Sequence, residues 1–339
     1  MMRIAVMGAG GWGTALSVVA GCAGHDVRLW SRNTTVVEEV NGEHRNSAYL
    51  ASHLIPESVR ATTEIDEALD GAEIVVLAAP SHATRELLTR MLPRIEPQMI
   101  FVSATKGVEI ETGKRISEVV VDVLSNRNLA PRFVCLSGPS FAQEVAAGQP
   151  TAVVAASAER ACRELVQMQL SCSNFRIYTN DDVVGTEIGG AVKNVMAIAA
   201  GMVVGLGLGA NSVAALITRG LAEMVRLALA EGARIETLMG LAGLGDLVLT
   251  CTGSLSRNRF VGQELGHGRT LDEVLGGMNE VAEGVRTTRA VKLLAERLGV
   301  EMPITNEVHA VLYEGKNAQE AVGALMSRPL RGEFEGVVP

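Results

Sequence analysis

The sequence predicts an α/β fold over its first half and an all-helical fold over its second half. In residues 1–180, short apolar runs alternate with amphipathic helical patterns, which is typical of βαβ units whose parallel sheet is covered by helices on both faces. After about Asn180 the strand signal fades and long helical patterns follow. We therefore expect two domains, at residues 1–180 and 181–339.

Local patterns predict the individual elements. Six apolar runs are predicted strands, in the order "RIAVMGAG", "DVRLWSR", "AEIVVLAAP", "MIFVSATKG", "FVCLSGPS" and "TAVVAAS". Predicted helices include "GTALSVVAGCAG" and "SHATRELLTRML", and then "VVGTEIGGAVKNVMAIAAGMVV", "SVAALITRGLAEMVRLALAEG", "TLDEVL" and "RTTRAVKLLAERLG". No long flexible linker separates the halves, so we expect two docked domains with a ligand cleft between them.

The composition argues against several classes of function. Aromatic residues make up only 3% of the chain and the net charge is −8, which disfavours nucleic-acid binding. The five cysteines are scattered and never spaced as metal-binding pairs, so we expect reduced thiols in a cytoplasmic protein and no metal site. The apolar N-terminus lacks a basic segment and a clear cleavage site, and it is not predicted to be a signal peptide.

One apolar stretch is long enough to cross a bilayer. Residues 194–218 contain no charged side chain. Several glycines interrupt this stretch, however, and no aromatic belt flanks it. We predict a buried core helix followed by a glycine-rich turn, and no membrane span.

A glycine-rich turn follows the first predicted strand and precedes the first predicted helix. Its sequence, "GAGGWG", matches G-x-G-x-x-G in the context where that motif binds a dinucleotide. Gly8 would permit the tight turn, Gly10 would let the backbone approach a pyrophosphate, and Gly13 would allow close packing of helix on strand. The motif predicts a Rossmann-like sheet with an anion site at the helix start, and a turn without a ligand is the alternative.

The second predicted strand ends in "WSRN". An NAD site usually has an acidic residue at this point, whereas this chain has Ser31 and Arg32. A guanidinium group would favour the 2′-phosphate of NADP. We therefore expect NADPH to be preferred and NADH to be possible, with Arg32 as an ordinary surface residue being the alternative.

Lysine is rare in this chain, which contains only five among its thirty Lys and Arg residues. Lys106 follows a predicted strand in "SATKG", where open parallel sheets place ligand-binding loops. Lys193 lies in the apolar stretch "GGAVKNVMAIAAG". Its neighbours on the same helix face are small or apolar: Gly189, Gly190, Met196 and Ala197, with Ala200 a further turn along. Lys193 either extends its ammonium group to water or meets a ligand, and burial among such residues would lower its pKa.

A further polar cluster lies in "LAGLGDLVLTCTGSLSRNRFVGQEL". Ser256, Arg257 and Asn258 supply donors of the kind that surround a phosphate, and a helix cap with an exposed arginine is the alternative. Asp246 is either a binding residue or a turn-forming residue. His82 stands in a Pro-Ser-His turn and is interpreted as structural rather than catalytic.

These motifs resemble those of the bacterial NAD(P)-dependent glycerol-3-phosphate dehydrogenases over essentially the full length. The resemblance rests on six motifs in the same order: "GAGGWGTAL", "SATKG", "SGPSFAQEVAAGQPTAVV", "GGAVKNVMAIAAG", "LAGLGDLVLTCTGSLSRNRFVGQELGHG" and "VAEGV". It implies a cytoplasmic enzyme that interconverts dihydroxyacetone phosphate and sn-glycerol 3-phosphate and supplies phospholipid synthesis. A homodimer is a possible assembly.

The resemblance also assigns residues. It implies that Lys193 is the catalytic acid/base, donating a proton to the ketone oxygen while the nicotinamide delivers a hydride. The implied substrate-binding residues are Lys106, Gly138, Ser140, Lys193, Asp246, Ser256, Arg257 and Asn258. The implied cofactor-binding residues are Gly8, Gly10, Gly11, Trp12, Gly13, Arg32, Lys106, Ala142, Arg257, Val281 and Glu283. Asp246 would orient either Lys193 or a substrate hydroxyl group.

The chain departs from the family pattern at Gly11, where the family commonly has serine. A hydroxyl contact to the cofactor phosphates would be lost there, although the backbone amide remains. Two other functions are compatible with a dinucleotide fold: a β-hydroxyacid or ketopantoate-type reductase, and a non-catalytic nucleotide sensor. The run from Ser256 to Asn258 favours a phosphorylated substrate, which argues against a β-hydroxyacid or ketopantoate-type reductase. The two lysines favour catalysis, which argues against a nucleotide sensor.

Overall fold

The computed structural model describes residues 1–278, 282–333 and 335. The chain divides into two compact units. Unit 1 comprises Met1–Lys106 and Lys114–Val183, and unit 2 comprises Gly107–Gly113 and Val184–Pro339. The predicted boundary between residues 180 and 181 lies close to the start of the long part of unit 2. The assignment of the short segment 107–113 to unit 2 has no counterpart in the sequence patterns.

Unit 1 is built around a sheet that has eight strands within the described residues. They are β1 (Arg3–Met7), β2 (Asp26–Trp30), β3 (Val59–Thr62), β4 (Ile74–Leu77), β5 (Ile100–Ser103), β6 (Arg132–Ser137), β7 (Thr151–Ala156) and β8 (Phe175–Asn180). Their order is β3-β2-β1-β4-β5-β6-β7-β8. The order reverses between β1 and β4, and ligands bind beside the carboxyl ends of strands at such a switch point.

Helices cover both faces of this sheet, as the sequence predicts. Those of unit 1 are α1 (Gly11–Cys22), α2 (Thr34–Glu43), α3 (Ser47–Leu50), α4 (Ile65–Leu69), α5 (Ser81–Met91), α6 (Ile116–Ser125), α7 (Ala142–Ala146) and α8 (Arg160–Leu170), with a 3₁₀ turn at Leu92–Arg94. Side chains alternate between two buried cores, so that Ile4 and Val6 enter one and Ala5 and Met7 enter the other. Burial on both faces explains why the strands read as continuous apolar runs.

The sheet differs from the predicted one in two respects. The strands β3 and β8 were not predicted, because both lie at edges of the sheet: the four-residue β3 is interrupted by the exposed Arg60, and β8 alternates buried and exposed residues over its first four positions. In addition, β7 runs antiparallel to β6, whereas the other neighbouring pairs are parallel. The connection between β6 and β7 contains only the five-residue α7, whereas the sequential parallel neighbours in this sheet are connected by helices of 10–12 residues.

In the long part of unit 2, from Val184 onward, the regular elements among the described residues are all helices. Its helices are α9 (Val183–Gly205), α10 (Ala210–Ala230), α11 (Ile235–Met239), α12 (Asp246–Thr252), α13 (Arg257–Gly266), α14 (Leu271–Gly276), α15 (Glu283–Leu298), α16 (Pro303–Tyr313) and α17 (Ala318–Met326), with a π-helical turn at Leu241–Gly245. This confirms the predicted all-α second half.

The long helix α9 forms the centre of unit 2. It is long and apolar enough to cross a membrane, but 89% of its most apolar window is buried, as in the core helix of a folded domain. Glycines let neighbouring backbones touch it: a Cβ at Gly201 would lie 2.0 Å from the carbonyl oxygen of Arg259, and one at Gly205 would lie 2.2 Å from that of Gln263. Gly189, one turn before Lys193, has the same role, since a Cβ there would lie 2.6 Å from the carbonyl oxygen of Ala242.

Candidate functional site

The glycine-rich turn joins the end of β1 to the start of α1. Gly8 has a φ of +127°, which side chains rarely adopt, and a Cβ there would lie 3.0 Å from the carbonyl group of Ala78. Gly13 is more tightly constrained, because its Cβ would lie 1.8 Å from the carbonyl oxygen of Gly8. These two glycines therefore allow the tight turn and the close approach of helix to strand that the sequence predicts.

The middle of the turn is open. Nothing lies within 4 Å of a Cβ built at Gly10. At Gly11 the nearest atom would be the Cβ of Ala142, at an ordinary contact distance of 3.7 Å, so the serine common in the family would fit. The first amides of α1 point out of the helix without intrahelical partners, which makes this turn suitable for a phosphate group.

Lys106 lies beside the same turn. Its Nζ donates a hydrogen bond to the carbonyl oxygen of Gly138 at 2.8 Å and lies 3.3 Å from the Oγ of Ser140. The Nζ atom also lies 5.9 Å from the ring centroid of Trp12. The indole Nε1 of Trp12 is buried and has no hydrogen-bond partner among the described residues. Unit 1 thus brings together the predicted residues of the glycine turn, Lys106 and the "SGPS" loop.

Arg32 is exposed directly after β2. The preceding Ser31 is buried, and its hydroxyl group accepts a hydrogen bond from the backbone amide of Asn33, which fixes the turn. No acidic residue occupies this end of the strand. His82 is exposed near the start of α5, and its interpretation as a structural residue stays a prediction.

In unit 2, Lys193 does not extend to water. The residue is 6% exposed, and its Nζ lies 2.6 Å from Oδ1 of Asp246 and 2.9 Å from Oγ1 of Thr250. The Thr250 hydroxyl group donates to the backbone carbonyl oxygen of Asp246 at 2.6 Å, one helical turn earlier in α12. A buried ammonium group is therefore held by a buried carboxylate and a hydroxyl group on one helix.

Burial and pairing have opposite effects on this amine. Desolvation favours the neutral form, as the sequence analysis expects, whereas the carboxylate of Asp246 favours the ammonium form. The dry surroundings are evident at the neighbouring Cys251, where burial raises the pKa of the thiol to about 12. An ammonium group kept charged in such a setting interacts strongly with any charge that develops beside it.

The predicted Ser-Arg-Asn run forms the start of α13. Ser256 caps this helix, its hydroxyl oxygen accepting a hydrogen bond from the backbone amide of Arg259 at 3.2 Å. Arg257 is the first helical residue and is exposed. The helix cap and the binding role are compatible, because a capped helix start still presents amides and an arginine to an anion.

The third residue of the run makes structural contacts. Asn258 donates from Nδ2 to Oδ1 of Asn194 at 2.9 Å, and its Oδ1 accepts from the backbone amide of Gly284 at 2.9 Å. These bonds tie α13 to α9 and α15. Glu283 is half-buried at the first position of α15, whereas Val281 lies outside the described residues.

Two residues of this region were not predicted from the sequence. Thr250 was not singled out, although it stands four residues after Asp246 and so lies on the same face of a helix. Gly284 was noted only within the motif "VAEGV". Its role is steric, since a Cβ there would lie 2.7 Å from the backbone oxygen of Asn194. No group of three or more His, Cys, Asp or Glu side chains in the described part of the chain is arranged to hold a metal ion.

Comparisons with known proteins point to one family. The family model described as NAD-dependent glycerol-3-phosphate dehydrogenase N-terminus matches residues 3–163, and the corresponding C-terminus model matches residues 182–323. A glycerol-3-phosphate dehydrogenase (NAD(P)+) of Koribacter versatilis is 56% identical over 331 residues, covering 97% of this chain and 98% of that protein. One of Nitratidesulfovibrio vulgaris strain Hildenborough is 52% identical, covering 98% and 100%.

A solved structure is also similar. The crystal structure of glycerol-3-phosphate dehydrogenase from Coxiella burnetii superimposes with a TM-score of 0.92 at 42% sequence identity, covering 96% of this chain and 99% of that one. Two family models match in sequence order, and relatives of more than half identity match over nearly the whole length. The chain belongs to the NAD(P)-dependent glycerol-3-phosphate dehydrogenase family of oxidoreductases.

Proposed function

We propose that the protein reduces dihydroxyacetone phosphate to sn-glycerol 3-phosphate with NADPH, and that Lys193 is its proton donor. The family membership supports the substrate pair, since its relatives are named glycerol-3-phosphate dehydrogenases that use NAD(P)+. The observation that carries the catalytic part is the buried Lys193 amine, 2.6 Å from Asp246 and 2.9 Å from Thr250. Burying a lysine amine costs desolvation free energy, and a catalytic role would explain why the fold places one here.

The residues of unit 1 fit a dinucleotide. A pyrophosphate requires open space and outward backbone amides, which this turn offers at Gly10 and at the start of α1. A polar ring substituent requires a hydrogen-bond partner, which the buried, unpartnered indole N–H of Trp12 offers. When bound, the cofactor supplies the hydride for the ketone carbon. Lys106 would add positive charge beside the same turn, and its contact with substrate remains a prediction from the resemblance.

In this proposal, Lys193 donates the proton that the ketone oxygen takes up. As hydride adds to the carbonyl carbon, the ketone oxygen gains negative charge, and the ammonium group neutralises it by donating a proton. Asp246 and Thr250 take hydrogen bonds from the same nitrogen and thereby fix the direction in which it points. Asp246 therefore serves to orient Lys193 in this proposal, the first of its two predicted roles.

Arg257 and the capped start of α13 would bind the phosphate of the substrate. The guanidinium group and the backbone amides of a helix N-terminus both favour a dianion. Arg257→Ala should raise KM for dihydroxyacetone phosphate by about 10- to 100-fold, the range for a charged hydrogen bond, with a smaller change in kcat. Arg269→Ala is the matched control, because Arg269 pairs with Glu264 on the surface of the same unit. An unchanged KM in the first variant would refute the phosphate assignment.

The direct test of the proposed substrate is consumption of NADPH, followed at 340 nm, with a panel of carbonyl compounds. Dihydroxyacetone phosphate should be reduced efficiently, and unphosphorylated dihydroxyacetone, ketopantoate and 2-keto acids should be poor substrates. Turnover of a keto acid at a comparable rate would favour the alternative reductase. Tight cofactor binding without any turnover would favour the nucleotide sensor.

The preference for NADPH rests on Arg32, which is exposed at the end of β2 without an acidic neighbour. Arg32→Asp should lower kcat/KM for NADPH by about 10-fold or more, since it replaces an attractive charge by a repulsive one next to the 2′-phosphate, and should leave NADH use largely intact. Equal loss with both cofactors would contradict the assignment. Arg28→Asp would not serve as a control, because it would also break the ion pair between Arg28 and Asp26.

The wider setting belongs to the same proposal. We place the enzyme in the cytoplasm as a homodimer that supplies glycerol phosphate for phospholipid synthesis. The half-exposed first part of α10, around Leu216 and Ile217, is the candidate interface. Light scattering after size-exclusion chromatography would give the molar mass, and a monomer at micromolar concentration would refute the dimer.

A further inference from the structure

The glycine-rich turn of unit 1 is held by a side chain from a distant segment. Asn46 is fully buried, and its Nδ2 atom donates hydrogen bonds to the carbonyl oxygen of Ala9 at 2.9 Å and to Oγ1 of Thr14 at 2.8 Å. The Thr14 hydroxyl group donates to the same carbonyl oxygen at 3.3 Å. Two side chains therefore hold one carbonyl group of the turn, and one of them comes from 37 residues further along the chain.

These bonds fix the orientation of one peptide group. In a trans peptide the carbonyl group and the amide group lie in one rigid plane and point in opposite directions. The peptide bond between Ala9 and Gly10 is trans. Because the Ala9 carbonyl group points at the buried Asn46, the amide of Gly10 points away from it. Nothing lies within 4 Å of a Cβ built at Gly10, so the turn is open there.

The next peptide group is held by the backbone alone. The Gly10 carbonyl oxygen accepts a hydrogen bond from the amide of Thr14 at 2.9 Å, which is the ordinary first bond of a helix. Only the peptide between Ala9 and Gly10 depends on side chains for its orientation. If this peptide were reversed, it would present a carbonyl oxygen in place of an amide, and a carbonyl oxygen repels an anion.

Asn46 does not cap its own helix. It stands at the N-cap position of α3, where an asparagine side chain usually accepts a hydrogen bond from an amide of the first turn. No such bond is formed, and its Oδ1 atom is buried without a hydrogen-bond partner among the described residues. The Ala9 carbonyl oxygen can only accept, so the Nδ2 end of the side chain must face it. The unsatisfied oxygen costs free energy, which a role at the turn would explain.

The segment that carries Asn46 is anchored on both sides. The amide of Ser47 donates to the two carboxylate oxygens of Glu39 in α2, at 3.1 and 3.0 Å. The carbonyl oxygen of His44 accepts from the amide of Ile55 at 2.8 Å. A side chain on a fixed segment can hold the turn in one orientation, because its own backbone does not move with the turn.

We propose that Asn46 is a positioning residue of the cofactor site, which holds the peptide between Ala9 and Gly10 so that its amide, and not its carbonyl oxygen, faces the pyrophosphate. The inference rests on the proposed function, in which the cofactor binds at the glycine turn. Asn46 acts through Ala9 and takes no part in the chemistry. Its loss should therefore weaken cofactor binding and leave kcat at saturating cofactor nearly unchanged.

The test compares Asn46→Asp with the unmodified protein in fluorescence titrations with NADPH. The substitution keeps the shape of the side chain and replaces the donor by an acceptor, so the Ala9 carbonyl group loses its partner and meets a negative charge. We expect Kd to rise by about 10- to 100-fold, the range for hydrogen bonds that involve a charged group. The ratio of the two Kd values should be smaller at pH 6 than at pH 8, because a protonated carboxyl group regains a donor.

A second pair of variants keeps the buried site uncharged. Thr14→Val removes the other donor to the Ala9 carbonyl group and should raise Kd by about 3- to 10-fold, whereas Thr14→Ser retains the hydroxyl group and should bind nearly as the unmodified protein does. Asn41→Asp is the matched control, since the Asn41 amide group bonds to the backbone of Ala61 at 2.9 and 2.8 Å. It should lower the thermal midpoint without changing Kd.

Three results would overturn the proposal. Equal Kd values for Asn46→Asp and the unmodified protein would show that the turn keeps its shape without this amide, and would leave the cofactor site of the proposed function intact. A lower thermal midpoint and kcat with an unchanged Kd would indicate a merely structural role. Failure of the unmodified protein to bind NADPH would refute the proposed function and this inference with it.

Discussion

Each unit contains a group of candidate functional residues, and the two groups differ in kind. In unit 1 the glycine turn offers backbone amides and open space. Its shape requires glycine at the positions where a Cβ would collide with backbone atoms. In unit 2 the Lys193–Asp246–Thr250 group consists of buried side chains, and the Lys193 amine lies within 3 Å of both the carboxylate and the hydroxyl group. The first arrangement depends on local backbone shape, whereas the second depends on charges brought together from different helices.

This difference determines how each part should respond to substitution. A backbone site tolerates new side chains wherever space is open and fails where a backbone atom is in the way. A buried charge network tolerates little, because removing one member leaves another charged or polar group without its partner in a dry environment.

The largest expected effect is that of Asp246→Asn. The substitution leaves the Lys193 ammonium group buried without its counter-charge, which costs about 3–5 kcal/mol in the free energy of unfolding and lowers kcat as well. Urea unfolding and steady-state kinetics would measure both. Asp66→Asn is the control, since Asp66 forms an exposed pair with Arg94 and should lose no more than about 1 kcal/mol. Equal losses in the two variants would contradict the buried pair.

The next effect concerns another buried carboxyl group of unit 2. Glu223 is 1% exposed and accepts hydrogen bonds from the backbone amides of Ile304 and Thr305 at the start of α16. Burial raises its pKa to about 7. Because the folded-state pKa lies above the unfolded value of about 4.3, this group stabilises the fold fully below pH 4.3, and that contribution is lost as the pH rises through 7.

Glu223→Gln should therefore flatten the decrease in unfolding free energy between pH 5 and pH 8, a change of up to about 3 kcal/mol over this range. Urea unfolding at several pH values would measure it. Glu301→Gln is the control: Arg328 and Arg331 lower the pKa of Glu301 to about 2, so it does not titrate in this window. A slope in the Glu223 variant equal to that of the unmodified protein would mean that Glu223 is ionised throughout.

In unit 1, Gly13→Ala should destabilise the protein by about 1–3 kcal/mol or more and weaken NADPH binding, because the new methyl group would meet the carbonyl oxygen of Gly8. Gly11→Ser is the matched substitution in the same turn. It should leave the thermal midpoint unchanged and maintain or improve NADPH affinity, since the space at Gly11 is open. Fluorescence titration and thermal unfolding would compare the two. Equal tolerance at both positions would contradict the described turn.

The last expected effect is that of Thr250→Val, which keeps the shape of the side chain, removes its hydroxyl group and takes away one hydrogen bond of the Lys193 amine. Loss of one hydrogen bond to a charged amine costs about 1.5–3 kcal/mol at most, and kcat should fall by about tenfold or more. Thr250→Ser should retain most of the activity because it keeps the hydroxyl group. Similar kinetics for the Val and Ser variants would show that this hydroxyl group does not position Lys193.

The same contrast explains what the sequence could predict. The glycine turn was recognisable because all of its residues are contiguous and each has a steric reason. The six strands buried on both faces were predicted from their apolar runs, whereas the edge strands β3 and β8 lack that signal. The antiparallel β7 follows from the length of one connection rather than from the composition of the strand.

The charge network was only partly predictable. Lys193 attracts notice because a lysine is rare in an apolar helix, but its partners are 53 and 57 residues away in sequence, so no local pattern links them. Asn258 was predicted to bind phosphate as a neutral donor, and in the structure its amide group joins α9 and α15. A sequence shows which side chains are available for binding, but not which of them are already used by the fold.

The central claim is that the Lys193 amine transfers the proton. Its most direct test is the single-turnover rate of NADPH oxidation by dihydroxyacetone phosphate in Lys193→Ala, with and without added small primary amines. We predict a rate lower by about two to four orders of magnitude that is partly restored by amine in proportion to its concentration. A near-normal rate without amine would contradict the account.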